Sequence, residues 1–318
     1  MRRPWPSSSA PSRAANLPAR LPPVPPPTLG GVSGADHEDA IAEAFVARDG
    51  GRPTEKARIF RVRNGSIEAA TDFVAAEDPL EIRLGGEAVA VTMRTPAPGE
   101  DAELAVGFLV GEKIIDPAAV SRVVECGQGS DGSAVDVRLR PGERPQAGWQ
   151  RSFYATSSCG VCGKASLDAV RLASEPLPAG PPLEGWVLGS LPDALRDAQR
   201  VFERTGGLHA AGLFTAAGEL VVVREDVGRH NAVDKAVGRL ALDGRLPAND
   251  LILQVSGRAS FEIVQKAALG GIPAVAAVSA PSSLAVELAG ELGMTLIGFS
   301  RDGGFNVYAG VERLAAQS

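Results

Sequence analysis

Between Leu251 and Ile297 short apolar runs alternate with helix-length amphipathic segments, and no other feature of the chain constrains its fold as much. Leu251–Val255, Ala274–Val278 and Thr295–Ile297 are too short for buried helices and too apolar for surface strands. Phe261–Leu269 and Leu284–Leu292, set between them, carry apolar residues at helical spacing, and Asn231–Leu242 precedes them as a further helix. Apolar strands alternating with helices mark a largely parallel sheet covered on both faces. Upstream, Leu208–Phe214 and Glu219–Val223 read as a hairpin through Ala217-Gly218. Leu191, Leu195, Ala198, Val201 and Phe202 mark one amphipathic helix that stops at Gly206-Gly207.

The first half has a different rhythm. Arg58–Arg63 alternates apolar and charged residues and runs into the turn Asn64-Gly65. Leu80–Leu84 and Ala88–Met93 flank Gly85-Gly86, a helix is expected over 101–112, and Val120–Glu125 pairs with Ala134–Leu139 around Gly127–Gly132. These elements predict a small α+β domain. Before them, nine of the 24 prolines lie between Pro4 and Pro27, and no acidic residue precedes Asp36. Such a composition closes neither a helix nor a ladder and is expected to stay extended. The expected division is a tail over 1–55, the α+β domain over 56–145, a cysteine-bearing loop over 146–165 and the α/β domain over 166–318.

Composition removes several classes of function. The net charge of −6 gives no general pull toward nucleic acid or an anionic membrane. No run reaches the roughly 20 apolar residues of a membrane-spanning helix. Arg2-Arg3 is followed by no apolar segment, so a cleaved export signal is not expected. Three cysteines, an odd count, argue against a disulfide scaffold and for a reducing compartment such as the cytoplasm.

Three sets of residues can carry chemistry. The first is Ser157-Ser158-Cys159-Gly160-Val161-Cys162-Gly163-Lys164. Two cysteines at this spacing chelate a metal, exchange a disulfide or carry sulfur, and each use needs the thiolate, which nearby cations and backbone N–H groups favour. A structural zinc site takes four ligands, and only Cys126, His37, His209 and His230 remain to complete one, so no metal site is expected. The zinc deaminase pattern sets H-x-E before its cysteine pair, whereas His209 follows the pair and precedes Ala210-Ala211. The second set is the loops at strand ends: Ser256-Gly257-Arg258-Ala259-Ser260, Ser279 to Ser283, and Phe299-Ser300-Arg301-Asp302-Gly303-Gly304. Strand ends and helix N-termini bind anions in α/β sheets, and Arg258 and Arg301 add charge suited to phosphate, although serine capping alone accounts for any single loop. The third is Arg224 to Asn231 with Asp234 and Lys235, either a salt-bridged junction or a ligand site in which His230 contacts ligand or donates a proton. His209 reads as an ordinary strand histidine.

Glu77-Asp78-Pro79-Leu80-Glu81-Ile82, the Cys159–Cys162 loop, Arg224 to Asn231 and Ser256-Gly257-Arg258 in this order resemble the formate dehydrogenase accessory sulfurtransferases. The resemblance runs from about Arg58 to the C-terminus. It implies a second domain similar to the cytidine deaminase fold, a three-layer α/β structure without the deaminase zinc, in a homodimer. It further implies a sulfurtransferase that takes sulfur from a cysteine desulfurase as a persulfide on Cys159, with Cys162 beside it. The acceptor implied is the molybdenum bis(molybdopterin guanine dinucleotide) cofactor, held by Phe299 to Gly304 as bound substrate and then inserted into formate dehydrogenase. Two other functions remain compatible with the residues: a chaperone that binds the cofactor without chemistry, and a CxxC thiol-disulfide oxidoreductase. Against the latter, the cysteine pair does not sit at the strand-to-helix entry of a first βαβ unit.

Overall fold

The computed structural model of the chain describes residues 46–47, 51–126, 133–146 and 175–315. A short strand, β1 (Val46–Ala47), lies on the edge of a long hairpin, β2 (Thr54–Arg63) and β3 (Ser66–Ala75). Asn64 and Gly65, at φ 48° and 84°, form its left-handed two-residue turn. Pairing in this hairpin starts with Thr54 opposite Ala75. β3 was not expected from its sequence, because Glu68, Ala69, Ala70 and Asp72 are poor strand formers that only pairing with β2 holds extended.

The next strands are β4 (Asp78–Leu84), β5 (Glu87–Arg94), β6 (Val120–Cys126) and β7 (Ser133–Leu139), ordered β5-β4-β7-β6 with β4 and β7 parallel. Helix α1 (Glu100–Gly111) covers this sheet through Leu104 and Leu109 against Leu80, Ile82 and Val137.

After Glu175 come α2 (Gly185–Ala198), α3 (Arg200–Thr205), β8 (His209–Thr215) and β9 (Leu220–Asp226). The single helix expected across Leu191–Phe202 is two. Gln199 leaves helical geometry at ψ 74°, and the Glu225 carboxylate accepts the Val201 and Phe202 N–H groups at 2.9 and 2.7 Å, capping α3 as a separate element. Then follow α4 (Arg229–Leu242), β10 (Leu251–Val255), α5 (Phe261–Leu269), β11 (Ala274–Ala277), α6 (Ser283–Glu291), β12 (Thr295–Arg301) and β13 (Gly304–Ala309).

The six-stranded sheet runs β13-β12-β11-β10-β8-β9. Only β10–β11 and β11–β12 pair in parallel, so the largely parallel sheet expected from the apolar runs is a mixed one. The short links between β8 and β9 and between β12 and β13 cannot make a crossover, which forces those pairs antiparallel. Both faces are covered, as the three-layer expectation requires. On one face Leu188, Leu191 and Leu195 of α2 meet Phe214, Ile252 and Ile297. On the other, α4, α5 and α6 meet Leu251, Leu253, Val255 and Val275, and the apolar face of the first sheet joins that same cluster.

The two sheets therefore share one core. Helices α1 and α4 cross at Gly107 and Gly238, where a Cβ on either glycine would come within 1.8 Å of the Asp234 or Glu103 carbonyl oxygen. Contact this close is possible only without side chains, so these glycines set how the first sheet docks onto the second.

Candidate functional site

Strands β9, β10, β11 and β12 point the same way, because β8 is antiparallel to both β9 and β10 while β10 to β12 are parallel. Their C-terminal ends share one edge of the sheet. There the starts of α4, α5 and α6, the β12–β13 turn and the beginning of β8 meet, which joins the second and third sets of candidate residues along one edge.

Backbone hydrogen bonds lock the loops of this edge together. Ser256 N–H donates to the Ala210 carbonyl at 3.0 Å, Ser279 N–H to Gly257 at 3.2 Å, Ser282 N–H to Ala259 at 3.0 Å, and Phe299 N–H to Ser279 at 3.2 Å. Each strand end thus holds its neighbour. The serine hydroxyls are mostly engaged within the protein. Ser256 Oγ accepts the Ala210 N–H at 2.9 Å, and Ser282 Oγ caps α6 through the Ala285 N–H at 3.3 Å. Ser300 is fully buried and donates to the Leu188 carbonyl at 3.4 Å, facing α2 and not the edge. Helix α5 starts at Phe261 with Ser260, not Ser256, at its N-cap position, and the Ser260 side chain makes no capping hydrogen bond.

The exposed groups on the edge include Arg258, Ser282, Ser283, Phe299, Arg301, Asp302, Gly303 and Gly304. Neither Arg258 nor Arg301 forms an ion pair among the described residues. Asp302 and Gly303, at φ 53° and 74°, make a two-residue turn between the paired Arg301 and Gly304, matching the Asp-Gly preference of that turn. Phe299 also has a positive φ, 53°, at a register shift between Gly298 and Arg301. A bulky residue in that region is a backbone outlier costing about 1–3 kcal/mol, and such outliers gather at ligand sites. It swings the ring outward on the rim, where it is 37% exposed.

The charged set at the β9–α4 junction divides in two. Most of it is structural. Asp226, fully buried, accepts the Thr95 and Gly228 N–H groups at 3.0 and 2.8 Å, the Asn231 amide at 3.0 Å and Lys235 Nζ at 2.8 Å. Lys235 also reaches Glu100 and the Thr95 carbonyl, both at 2.9 Å. Arg224 spans both oxygens of Glu103 at 2.5 and 2.6 Å. Asn231 donates to the Met93 carbonyl at 2.7 Å. The network fastens the end of β5 and the start of α1 to the second sheet, so for these residues the salt-bridged junction is the correct reading. Thr95, Glu100 and Glu103 carry half of it, and no local sequence signal links them to residues more than a hundred positions away.

Arg229, His230 and His209 remain at the edge. Arg229 Nε is buried without a hydrogen-bond partner among the described residues. His230 Nε2 lies 3.4 Å from Ser260 Oγ and 3.9 Å from Glu262, with both neighbours on the same ring nitrogen. A nucleophilic triad needs the acid on the opposite nitrogen, so this is not one. Burial, with the charges of Arg229 and Lys266, pushes His230 down to about 4 and keeps it neutral at physiological pH. Burial also lowers His209, which sits beside Gly257. Behind them Lys266 pairs with the buried Asp234 at 2.8 Å and Glu112 at 3.3 Å. Burial raises Asp234 to about 6. Lys266 is raised as well, since its two carboxylates outweigh the effect of its own burial. No group of three metal-ligating side chains occurs among the described residues, and Cys159 and Cys162 lie outside them.

The fold is similar to that of formate dehydrogenase accessory proteins. A solved structure assigned to that group, from Desulfotalea psychrophila, superposes with a TM-score of 0.67 at 28% identity, covering 83% of this chain and 100% of the other. Residues 75–315 match the FdhD/NarQ family, and the chain belongs to it. Relatives named sulfur carrier protein FdhD include one from Streptomyces avermitilis, 55% identical over 84% of this chain and 98% of its own. Another, from Sulfurisphaera tokodaii, is 45% identical over 82% and 98%. No helix among the described residues is long and apolar enough to cross a membrane.

Proposed function

We propose that this chain carries sulfur from a cysteine desulfurase, as a persulfide on Cys159, to the molybdenum bis(molybdopterin guanine dinucleotide) cofactor destined for formate dehydrogenase. The names of its relatives support sulfur carriage and the formate dehydrogenase connection. The observation that carries the cofactor part is the locked edge. Three strand ends joined by backbone bonds present Arg258, Arg301 and the Asp302-Gly303 turn, with no ion pair to either guanidinium among the described residues.

In the first step the Cys159 thiolate attacks the sulfane sulfur of the donor's persulfide. A Cys159–S–S bond forms, the donor's S–S bond breaks, and the donor cysteine leaves as thiolate. Delivery of that sulfur as sulfide needs two electrons. A Cys162 thiolate supplies them by attacking Cys159 Sγ: the Cys159–Cys162 disulfide forms, the bond from Sγ to the carried sulfur breaks, and that sulfur leaves as sulfide. Arg258 and Arg301 hold the pyrophosphate of a guanosine arm bidentately, and rigid loops fix where the other end of that arm lies.

The test is intact-mass analysis after incubation with a cysteine desulfurase and cysteine, read together with complementation of a strain lacking its own accessory protein. One added sulfur that maps to Cys159, and loss of formate dehydrogenase activity with Cys159→Ala, are expected. Full activity with Cys159→Ala refutes the carrier role and favours a chaperone that only binds cofactor.

A further inference from the structure

We infer that a second binding site, for a small amphipathic organic anion, lies at the far end of the helices that begin at the candidate edge. Helix α4 has 14 residues, so at 1.5 Å per residue its C-terminal end is about 20 Å from that edge. There a cleft of about 710 Å³ opens between the two sheets, with Val106 of α1 and Val123 of β6 on one side and Leu246 and Leu269 on the other. Ligand pockets run from about 300 to 1,000 Å³, so the space suits one small molecule.

The charges around it select an anion. Arg122 and Arg140 line the cleft, and neither forms an ion pair among the described residues. Asp116 is the acidic residue of the lining, and its Oδ1 is already engaged, accepting the Ala118 N–H at 2.8 Å. Helix C-terminal carbonyls would repel an anion, but here they are closed off. Gly244 and Arg245 N–H groups return to Ala241 and Leu240 at 3.1 and 2.8 Å, and those of Gly271 and Ile272 to Ala268 and Ala267, both at 2.9 Å. Arg122 and Arg140 are exposed, so they stand at the rim of a largely aliphatic lining, and with Asp116 its one carboxylate the lining carries a net charge of 2 − 1 = +1. Among the described residues the lining offers no aromatic ring on which a base could stack, which favours an aliphatic ligand over a nucleotide. Its chemistry is an apolar body carrying a carboxylate. Because it would touch α1 and β6 of one sheet and the ends of α4 and α5 of the other, its binding stabilises the junction between the sheets.

Decanoate is the probe, with decanol as its uncharged counterpart, both titrated into the full chain by calorimetry. Decanoate is expected to bind, decanol at least tenfold more weakly, and the Arg122→Gln, Arg140→Gln double variant to lose at least tenfold in decanoate affinity. Saturating GDP should leave decanoate binding unchanged. Equal binding of decanol, equal affinity in the double variant, displacement by GDP, or no binding of decanoate would each overturn the assignment. Sulfur loading of Cys159 is measured separately, so failure here leaves the carrier reading standing, and the reverse also holds.

Discussion

Replacing Lys235 with Met removes the cation at the centre of the junction between the sheets. Met keeps most of the length and volume of the side chain, so packing changes little and the loss is one of charge. Lys235 is fully buried, with Asp226 at 2.8 Å and Glu100 at 2.9 Å. Glu100 keeps 22% side-chain exposure and its carboxyl is already raised by burial, so it takes a proton or turns toward water at modest cost. Asp226 has no such escape. It stays fully buried, holding the Thr95 and Gly228 N–H groups and the Asn231 amide. Removing one member of a buried pair costs about 3–5 kcal/mol, and the three remaining donors argue for the lower end, about 3 kcal/mol. Urea unfolding followed by circular dichroism measures it, as a midpoint shift at constant slope. Adding Asp226→Asn should recover part of the loss, with a coupling of at least about 1 kcal/mol between two residues in contact. A loss below about 1 kcal/mol for Lys235→Met, or simple additivity in the double variant, would show that the network does not hold the sheets together.

Gly238→Ala should lower the melting temperature. In an open helix the same change gains up to about 1 kcal/mol, so the sign alone tells whether α1 and α4 cross in backbone contact. Asp234, with its folded pKa raised from 3.8 to about 6, favours the folded state at low pH and loses that contribution as pH rises through this window. His230, lowered from 6.5 to about 4, does the opposite, contributing at neutral pH and losing its contribution as pH falls. The two offset each other between about pH 4 and 6. Relative to wild type, His230→Gln should therefore tilt stability downward with rising pH and Asp234→Asn should tilt it upward, and denaturant midpoints taken across that range would expose a reversed order. Arg301→Ala should weaken GDP binding by about 1.5–3 kcal/mol, the usual worth of a hydrogen bond to a charged group. Equal GDP affinity in wild type and the Arg258→Ala, Arg301→Ala double variant, by calorimetry, would move the site toward Arg229 and His230.

Much of the fold is legible along the chain because its signals are local. Leu251–Val255 and Phe261–Leu269 lie where their apolar periodicity places them, and Asn64-Gly65 and Ala217-Gly218 turn where their backbone freedom allows. The loops that bear Arg258 and Arg301 could be identified in the same way, as small polar stretches following apolar strands. Strand direction could not. An apolar run reads alike in parallel and antiparallel pairing, and it is the short links after β8 and β12 that make the sheet mixed. Nor could the use of each side chain be read. Ser256 and Ser300 look like ligand contacts in sequence, yet backbone groups of distant elements engage their hydroxyls, whereas Ser282 does the local helix capping that its place allows. The Arg224–Lys235 cluster reads equally well as a site or a junction until Thr95, Glu100 and Glu103 arrive from the other sheet. Periodicity and turn chemistry are properties of a few adjacent residues, so the sequence by itself determined most of the elements and their order, though not β3, β13 or the break between α2 and α3. Pairing, burial and the partner of each charge depend on residues far apart in the chain, and only the tertiary structure, by bringing Gly107 against Gly238 and Asp226 against Lys235, decided those.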